Sequence, residues 1–317
     1  MRYLLLTLCA LITFAGSALA AQIYDAFPYR YKYIPVEGSR MAYIEEGQGT
    51  PVLFLHGNPT NSYIWRNIIP AVSPHARAIA LDLIGMGESD APDIPYKFKD
   101  HIKYVDGFIK EMGLKDVIIV GQDWGSAIGL HYAMQNPDNV KGIVMMEAIL
   151  KPFQSLRDFR PKFAANLSDM RDPIKGQQLL IKENFFIAQV LPGQTLRQLN
   201  PTEFDAYGKY FEDEQSRIPV WRFVNELPIA EHPKESHDLI ADYSVKLSES
   251  DHPKLFFFAR PGGLGNASQV EWAKDNLKNT TFVDIGPGIH HLQEENPHAI
   301  AAGLSVWIQN LVRDSAK

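Results

Sequence analysis

The sequence contains a single cysteine, Cys9, among its 317 residues. That cysteine lies in an apolar N-terminal segment, so the rest of the chain can form no disulfide and no thiolate metal site. Paired CxxC motifs, an HExxH motif and a Walker-type glycine-lysine loop are also absent. These absences argue against the common zinc-binding and P-loop classes and predict a protein whose stability depends on an apolar core.

The sequence also lacks long runs of one charge. Its 31 Lys and Arg residues against 37 Asp and Glu residues give a net charge of −6. Because nucleic-acid binding requires a basic surface, no nucleic-acid partner is predicted. The chain is 45% hydrophobic and 21% charged, which is typical of a soluble protein. Its 317 residues are enough for one large domain with an insertion, or for two small domains. This composition leaves the oligomeric state open.

The N-terminus has a composition of its own. Arg2 precedes an apolar run over 4–16, and the small residues of 17–21 follow. A basic start, a short apolar core and an A-x-A end are typical of a secretory signal peptide, and the run is short for a membrane span. We therefore predict a signal peptide over 1–20 with cleavage after Ala20, a periplasmic or secreted protein, and no stable membrane association after cleavage. The alternative is an uncleaved membrane anchor.

The strongest pattern in the chain surrounds Asp123. Four apolar residues, 117–120, predict a buried strand, and 126–133 has the rhythm of a helix. Between them lies Gly121-Gln122-Asp123-Trp124-Gly125, in which two glycines allow the strand and the helix to approach closely. This is the nucleophile elbow of α/β-hydrolases, with aspartate at the position of the usual serine. A carboxylate there can attack carbon and form an ester with the enzyme.

The remaining elements predict an α/β-hydrolase fold. Alternating strands and helices indicate a mostly parallel sheet flanked by helices, whereas 151–228 contains no convincing strand and reads as an inserted helical cap domain. The core would then comprise 21–150 and 229–317. The predicted strands are two within 31–46, turning at 37–39, then 51–55, 76–83, 117–120, 140–147, 254–259 and 281–285; the predicted helices outside the cap are 98–112, 126–133 and 298–312.

Polar residues follow four of these strands. Because the carboxyl ends of parallel strands share one edge, Asn58, Asp123, Glu147 and His290 should converge on one cleft beneath the cap. In that cleft Asp123 would be the nucleophile, His290 the general base and Glu147 the acid that orients the imidazole. His291 competes with His290 for the role of base, but the Gly-Pro-Gly-Ile-His loop favours His290. We interpret His56 as a structural histidine that braces its loop.

These motifs together resemble the haloalkane dehalogenases over nearly all of the chain after the predicted signal peptide. The residues that carry the resemblance are His56-Gly57-Asn58-Pro59, Gly121-Gln122-Asp123-Trp124-Gly125, Met146-Glu147, 221–230 of the cap and 288–294. The resemblance implies that Asp123 displaces halide from carbon, that His290 and Glu147 activate water against the resulting ester, and that Asn58 and Trp124 bind the halide. It implies no metal and no organic cofactor; the partners would be a small apolar halogenated substrate, water and a halide ion.

The resemblance also assigns the substrate pocket. It places Phe186, Leu227 and Leu264 around the apolar pocket or its tunnel. His291 stands where relatives commonly carry an aromatic or apolar residue, so we expect it to make the tunnel more polar.

Three other functions compete with this interpretation. Epoxide hydrolases share G-x-D-W-G and use two cap tyrosines, for which Tyr207 and Tyr210 are available, although they usually carry an aromatic residue at the position of Asn58. A luciferase-like monooxygenase would keep much of the same site. A binding protein on a hydrolase scaffold would have lost part of its triad, whereas all three members are present here.

Overall fold

The computed structural model describes residues 22–314, in which eight strands form one sheet in the order β1-β2-β4-β3-β5-β6-β7-β8. β1 and β2 pair antiparallel, as do β2 and β4, and every other pairing is parallel. The strands are β1 (Lys32–Val36), β2 (Ser39–Glu46), β3 (Pro51–Leu55), β4 (Arg77–Leu81), β5 (Val117–Asp123), β6 (Val140–Ala148), β7 (Lys254–Pro261) and β8 (Thr280–Gly288). The mostly parallel sheet predicted from the alternation is confirmed.

Helices cover both faces of this sheet. The longer ones are amphipathic: α2 buries Phe98, Ile102, Val105 and Ile109, which recur at three- and four-residue spacing. The α-helices are α1 (Ile69–Val72), α2 (Phe98–Glu111), α3 (Trp124–Gln135), α4 (Pro161–Met170), α5 (Lys175–Gln177), α6 (Pro201–Gly208), α7 (Ile218–Glu226), α8 (Lys234–Glu249), α9 (Ala267–Asn276), α10 (Leu292–Glu295) and α11 (Pro297–Asp314). Within residues 22–314, no helix combines the length and apolar character that crossing a bilayer requires.

Helices are the regular elements of the segment between β6 and α8, which also contains irregular stretches and an isolated bridge between Phe153 and Ile229. Besides α4 to α7 it contains two π-helical turns, Gln178–Lys182 and Phe186–Val190, and short 3₁₀ turns. No strand lies in 151–228, as predicted, although the domain boundaries themselves stay predictions. The predicted signal peptide lies outside the described residues.

Several elements differ from the sequence prediction. The prediction omits α8 and α9, yet Ile240, Tyr243 and Leu247 of α8 form a buried face with helical spacing. β8 extends to Gly288 rather than ending at Ile285, because Arg260 and Pro261 of β7 pair with Pro287 and Gly288 across a register shift. Such an irregularity depends on the neighbouring strand, which the local sequence does not specify.

A buried ionic network joins the cap to the core. Arg66 contacts Glu294 at 2.5 Å and Glu203 of α6 at 3.0 Å, and Arg197 contacts the same two carboxylates at 2.6 Å each. The Tyr207 hydroxyl also donates to Glu294. The side chains of Arg66, Glu203 and Glu294 are at most 2% exposed. Because each charge is desolvated, loss of one partner leaves another uncompensated.

Replacement of Arg66 should therefore destabilise the protein strongly. We expect Arg66→Met to lower the free energy of unfolding by about 3–5 kcal/mol, because Glu203 and Glu294 would keep only Arg197 as a cationic partner. Urea denaturation followed by circular dichroism measures the change. The matched control is Arg40→Met, whose ion pair with Asp90 is on the surface and should contribute at most about 1 kcal/mol. Equal losses in both variants would contradict a special contribution of the buried network.

Candidate active site

Asp123 lies at the end of β5, in the middle of the sheet, where the chain turns directly into α3. Its φ of 52° is a strained conformation for a residue other than glycine, as expected for a nucleophile elbow. A Cβ on Gly125 would lie 2.2 Å from the Leu55 carbonyl oxygen, and one on Gly57 would lie 2.3 Å from Cβ of Asp123. Glycine is therefore required both in the turn that presents Asp123, at Gly125, and in the loop after β3 that packs against it, at Gly57.

The two carboxylate oxygens of Asp123 have different surroundings. Oδ1 accepts a hydrogen bond from the Asn58 backbone N–H at 2.9 Å. Oδ2 lies 3.5 Å from Nε2 of His290. Oδ1 is thus held by a donor suited to an oxyanion, whereas Oδ2 faces the base and is the oxygen available for attack.

His290 and Glu147 form the remainder of a triad. Nδ1 of His290 lies 3.0 Å from Oε2 of Glu147, whose side chain is fully buried. Burial opposes protonation of His290, but its hydrogen bonds with Asp123 and Glu147 outweigh that effect and raise its pKa to about 10. Nδ1 therefore donates to Glu147, and Nε2 is the nitrogen that faces Asp123.

Sequence reasoning missed the groups that hold this pair. The backbone N–H groups of Gly263 and Leu264 donate to Oε2 of Glu147 at 3.0 and 2.7 Å. Gln122 donates to the His290 carbonyl at 3.3 Å, and its Nε2 also lies 3.2 Å from Nε2 of His290. The latter contact is a hydrogen bond only when Nε2 carries no proton, so Gln122 favours the neutral base. A glycine-rich loop after the neighbouring strand was the available signal for Gly263 and Leu264.

The cap touches the loop that carries His290. The backbone N–H groups of His290 and His291 both donate to the Gln194 carbonyl, at 3.0 and 3.1 Å. Glu295 accepts from the backbone N–H groups of Ile289 and Leu196, at 2.7 and 2.5 Å. The position of the base therefore depends on the cap segment 194–197 as well as on the sheet.

Asn58 and Trp124 both face the site. The Asn58 side-chain amide makes one long hydrogen bond, 3.3 Å to the Val220 carbonyl. The Trp124 indole stacks on Phe223 with ring centroids 5.1 Å apart, and among residues 22–314 its N–H has no hydrogen-bond acceptor. Two residues that carry N–H donors therefore line the same cavity as Asp123, and neither donor has a strong hydrogen-bond partner of its own.

A cavity of about 250 Å³ opens above these groups. Asn58, Asp123, Trp124 and His290 line its floor, and each is at most 7% exposed. The three residues assigned by resemblance, Phe186, Leu227 and Leu264, line its walls. Their contact with a substrate stays a prediction.

His291 does not line this cavity, so the expected effect on the tunnel is wrong. Its side chain is fully buried, beside Tyr207 and His290, and burial lowers its pKa well below the usual value. The prediction failed because consecutive residues of this loop point in different directions. His56 braces its loop as expected: Nε2 accepts from the Leu83 backbone N–H and Nδ1 lies 2.9 Å from the Gly57 carbonyl.

The two cap tyrosines are occupied elsewhere. The hydroxyl of Tyr207 donates to Glu294, and that of Tyr210 donates to Glu88 at 2.8 Å. Neither residue lines the cavity. In this arrangement neither hydroxyl can protonate an epoxide oxygen bound at Asp123. Among residues 22–314, no group of three or more His, Cys, Asp or Glu side chains is arranged to hold a metal ion.

Comparison with known proteins agrees with this geometry. The family model of the alpha/beta hydrolase fold matches residues 50–297. A haloalkane dehalogenase of Mesorhizobium japonicum is 42% identical over 282 residues, which cover 88% of this chain and 91% of that protein. The chain belongs to the haloalkane dehalogenase family. A second member of the family, from Bradyrhizobium diazoefficiens, is 40% identical over 87% of this chain and 93% of its own length.

Solved structures of the family share the whole architecture. Haloalkane dehalogenase DbeA from Bradyrhizobium elkani superimposes with a TM-score of 0.87 at 39% identity, over 91% of this chain and 99% of that one. DatA from Agrobacterium tumefaciens C58 gives a TM-score of 0.86 at 33% identity, over 90% and 98%. The family match therefore covers the core and the helical segment between β6 and α8.

Proposed function

We propose that the protein hydrolyses carbon–halogen bonds of halogenated alkanes, releasing an alcohol, a halide ion and a proton. The observation that supports this most directly is the pairing of a carboxylate nucleophile with two N–H donors at the floor of an apolar-walled cavity. Asp123 supplies the carboxylate, and the side chains of Asn58 and Trp124 supply the donors. Family membership supports the same reaction.

The first step is substitution at carbon. Oδ2 of Asp123 attacks the halogen-bearing carbon from the side opposite the halogen, a C–O bond forms, and the halide leaves with the bonding electron pair. The Trp124 indole N–H and the Asn58 amide donate hydrogen bonds to the departing halide. Because these donors act on charge that develops during the step, they stabilise the transition state more than the substrate.

The second step is hydrolysis of the ester. Ester formation removes the charge of Asp123, one of the two carboxylates that raise the pKa of His290, so that pKa falls, the imidazolium releases its Nε2 proton to solvent, and Nε2 can then accept a proton from water. The resulting hydroxide attacks Cγ of Asp123, and the oxyanion forms on Oδ1 beside the Asn58 backbone N–H. Collapse of this intermediate expels the alkoxide, which takes the proton from Nε2 of His290 to become the alcohol, and the carboxylic acid left at Asp123 passes its proton to the imidazole, which regenerates the carboxylate.

Halide and proton release from the purified protein tests the reaction class. 1,2-Dibromoethane and 1-bromobutane are offered as substrates, with styrene oxide as a competing class. We expect bromide release from both alkanes and no diol from the epoxide. Diol without bromide would favour an epoxide hydrolase. If neither bromide nor diol forms from the three compounds, the oxygenase or binding-protein alternatives would be favoured.

The halide pair gives a separate prediction. We expect Asn58→Ala and Trp124→Phe each to raise the Kd for bromide about tenfold or more, because each removes one hydrogen bond to a charged ligand. Titration calorimetry with sodium bromide measures the affinity. Trp221→Phe is the matched control, because Trp221 lies in α7 outside the cavity lining. Bromide affinity unchanged in either site variant would remove that side chain from the halide site.

Export is also part of the proposal. A signal peptide over 1–20 would place the enzyme in the periplasm or outside the cell, where it would meet substrates before they enter the cytoplasm. Expression with the native N-terminus in a Gram-negative host, followed by fractionation and N-terminal mass analysis, tests this. A mature chain beginning at Ala21 in the periplasmic or extracellular fraction is expected. An intact chain retained in the membrane would support the anchor instead.

A further inference from the structure

The mouth of the cavity carries two cations without partners. Arg160 and Lys162 line the cavity and are exposed, whereas Asp123 and His290 lie buried at its floor. Within residues 22–314, neither cation forms a salt bridge, a side-chain hydrogen bond or a cation–π contact. Both charges are therefore available to a molecule that enters the cavity.

The surroundings of the mouth do not neutralise these charges. The stretch 151–169 contains four cationic residues and two acids, Asp158 and Asp169, and Asp169 forms an ion pair with Lys175 at 2.7 Å. The Asp158 carboxylate accepts from the backbone N–H groups of Gln154 and Ser155, at 2.6 and 3.4 Å. Among the residues that line the cavity, the only carboxylate is Asp123 at the floor. The entrance is thus positive on a chain whose net charge is −6, which favours approach of anions to this point.

We infer that the substrates this enzyme prefers carry an anionic group, such as a carboxylate, at the end of the alkyl chain away from the halogen. This inference rests on the proposed function. The halogen-bearing carbon must reach Asp123, the alkyl chain would lie along Phe186, Leu227 and Leu264, and the far end would emerge beside Arg160 and Lys162. Bromoalkanoates of sufficient length fit this order of apolar wall and cationic rim.

The same geometry predicts a reversal for short acids. When only one or two carbons separate the carboxylate from the halogen, the carboxylate must enter the floor beside Asp123. Repulsion between the two carboxylates would then oppose binding. Chain length should therefore decide whether the negative charge helps or hinders turnover. A cavity with an apolar entrance that lacked Arg160 and Lys162 would bind the carboxylate substrates less well than neutral ones at every chain length.

Paired acids and amides of the same length measure this effect. The substrates are 3-bromopropanoate, 6-bromohexanoate and 10-bromodecanoate, each with its primary amide, and the quantity is the ratio of kcat/KM for acid to amide. We expect a ratio below one for the shortest pair and above one for a longer pair at low ionic strength. Added sodium sulfate should lower the ratio of the longer pair, because salt screens exposed charges.

Variants locate the effect at the mouth. Arg160→Gln combined with Lys162→Gln should lower the ratio of the longer pair about three- to tenfold, the range of two exposed ion pairs. Arg157→Gln is the matched control, because Arg157 is an exposed cation of the same stretch that does not line the cavity. An unchanged ratio in the double variant, or a ratio below one at every length, would overturn the inference. Absence of bromide from acids and amides alike would instead overturn the proposed function.

Discussion

Asp123→Ala should abolish halide release from both bromoalkanes. The variant retains the cavity, the two halide donors and the base, but no atom remains that can bond to carbon. Water in its place would not be held at the position that Oδ2 has, 3.5 Å from Nε2 of His290. Loss of a nucleophile of this kind lowers kcat by about 10⁴-fold or more. Ion chromatography of released bromide, at enzyme concentrations that detect a residual rate, measures the loss.

A control separates lost chemistry from lost folding. Asp116, at the other end of the same strand, is exposed and also has a positive φ of 51°. Asp116→Asn keeps a residue that tolerates this conformation and should retain full activity. Binding of bromide to the Asp123→Ala protein would show that the site is still formed. Turnover by Asp123→Ala within tenfold of the native rate would exclude the covalent route.

His290→Phe should separate the two half-reactions. Asp123 can still displace halide in this variant, but no base activates water, so the alkyl ester should accumulate. We expect one equivalent of bromide per protein molecule and then no further release. With 1-bromobutane, the peptide that carries Asp123 should gain the mass of a butyl group less that of the proton it replaces. Mass spectrometry of a protease digest locates the added group.

This experiment also has a matched control and a contrary outcome. His75 is an exposed histidine outside the cavity lining, so His75→Phe should turn over continuously and accumulate no ester. Steady turnover by His290→Phe would mean that another group acts as the base. A burst of bromide with the ester on a different residue would move the nucleophile away from Asp123.

The arrangement of the site could be predicted because each of its residues lies in a short sequence pattern at the carboxyl end of a strand, and these ends share one edge of the sheet. A buried strand, a glycine-flanked turn and a helix define the elbow at Asp123 within residues 117–133. Glu147 lies at the end of its strand and His290 follows one, and parallel strands bring such ends together. The structure places both beside each other and beside Asp123. The helical character of 151–228 was likewise visible from the loss of alternation.

What escaped prediction depends on contacts between distant segments. The side chain of His291 points away from the cavity because the cap carbonyl of Gln194 fixes the backbone of that loop. The ionic network around Arg66 combines residues up to 228 positions apart, so no local sequence pattern predicts it. Gln122 has the sequence context of an ordinary turn residue, yet it contacts His290 because the loop after β8 reaches past β7 and β6 to the elbow. Such contacts require the assembled fold.

The contacts between segment 194–197 and the loop of His290 make the cap a part of the proton-transfer apparatus, with a consequence for recombination within the family. A chimera that takes residues 151–228 from a relative exchanges the pocket wall and, at the same time, the support of the base. Crossovers that move 194–197 and 289–295 together keep the Gln194, Leu196 and Arg197 contacts matched. Under the proposed mechanism, an exchange of the cap therefore changes the wall of the cavity and the support of His290 at the same time.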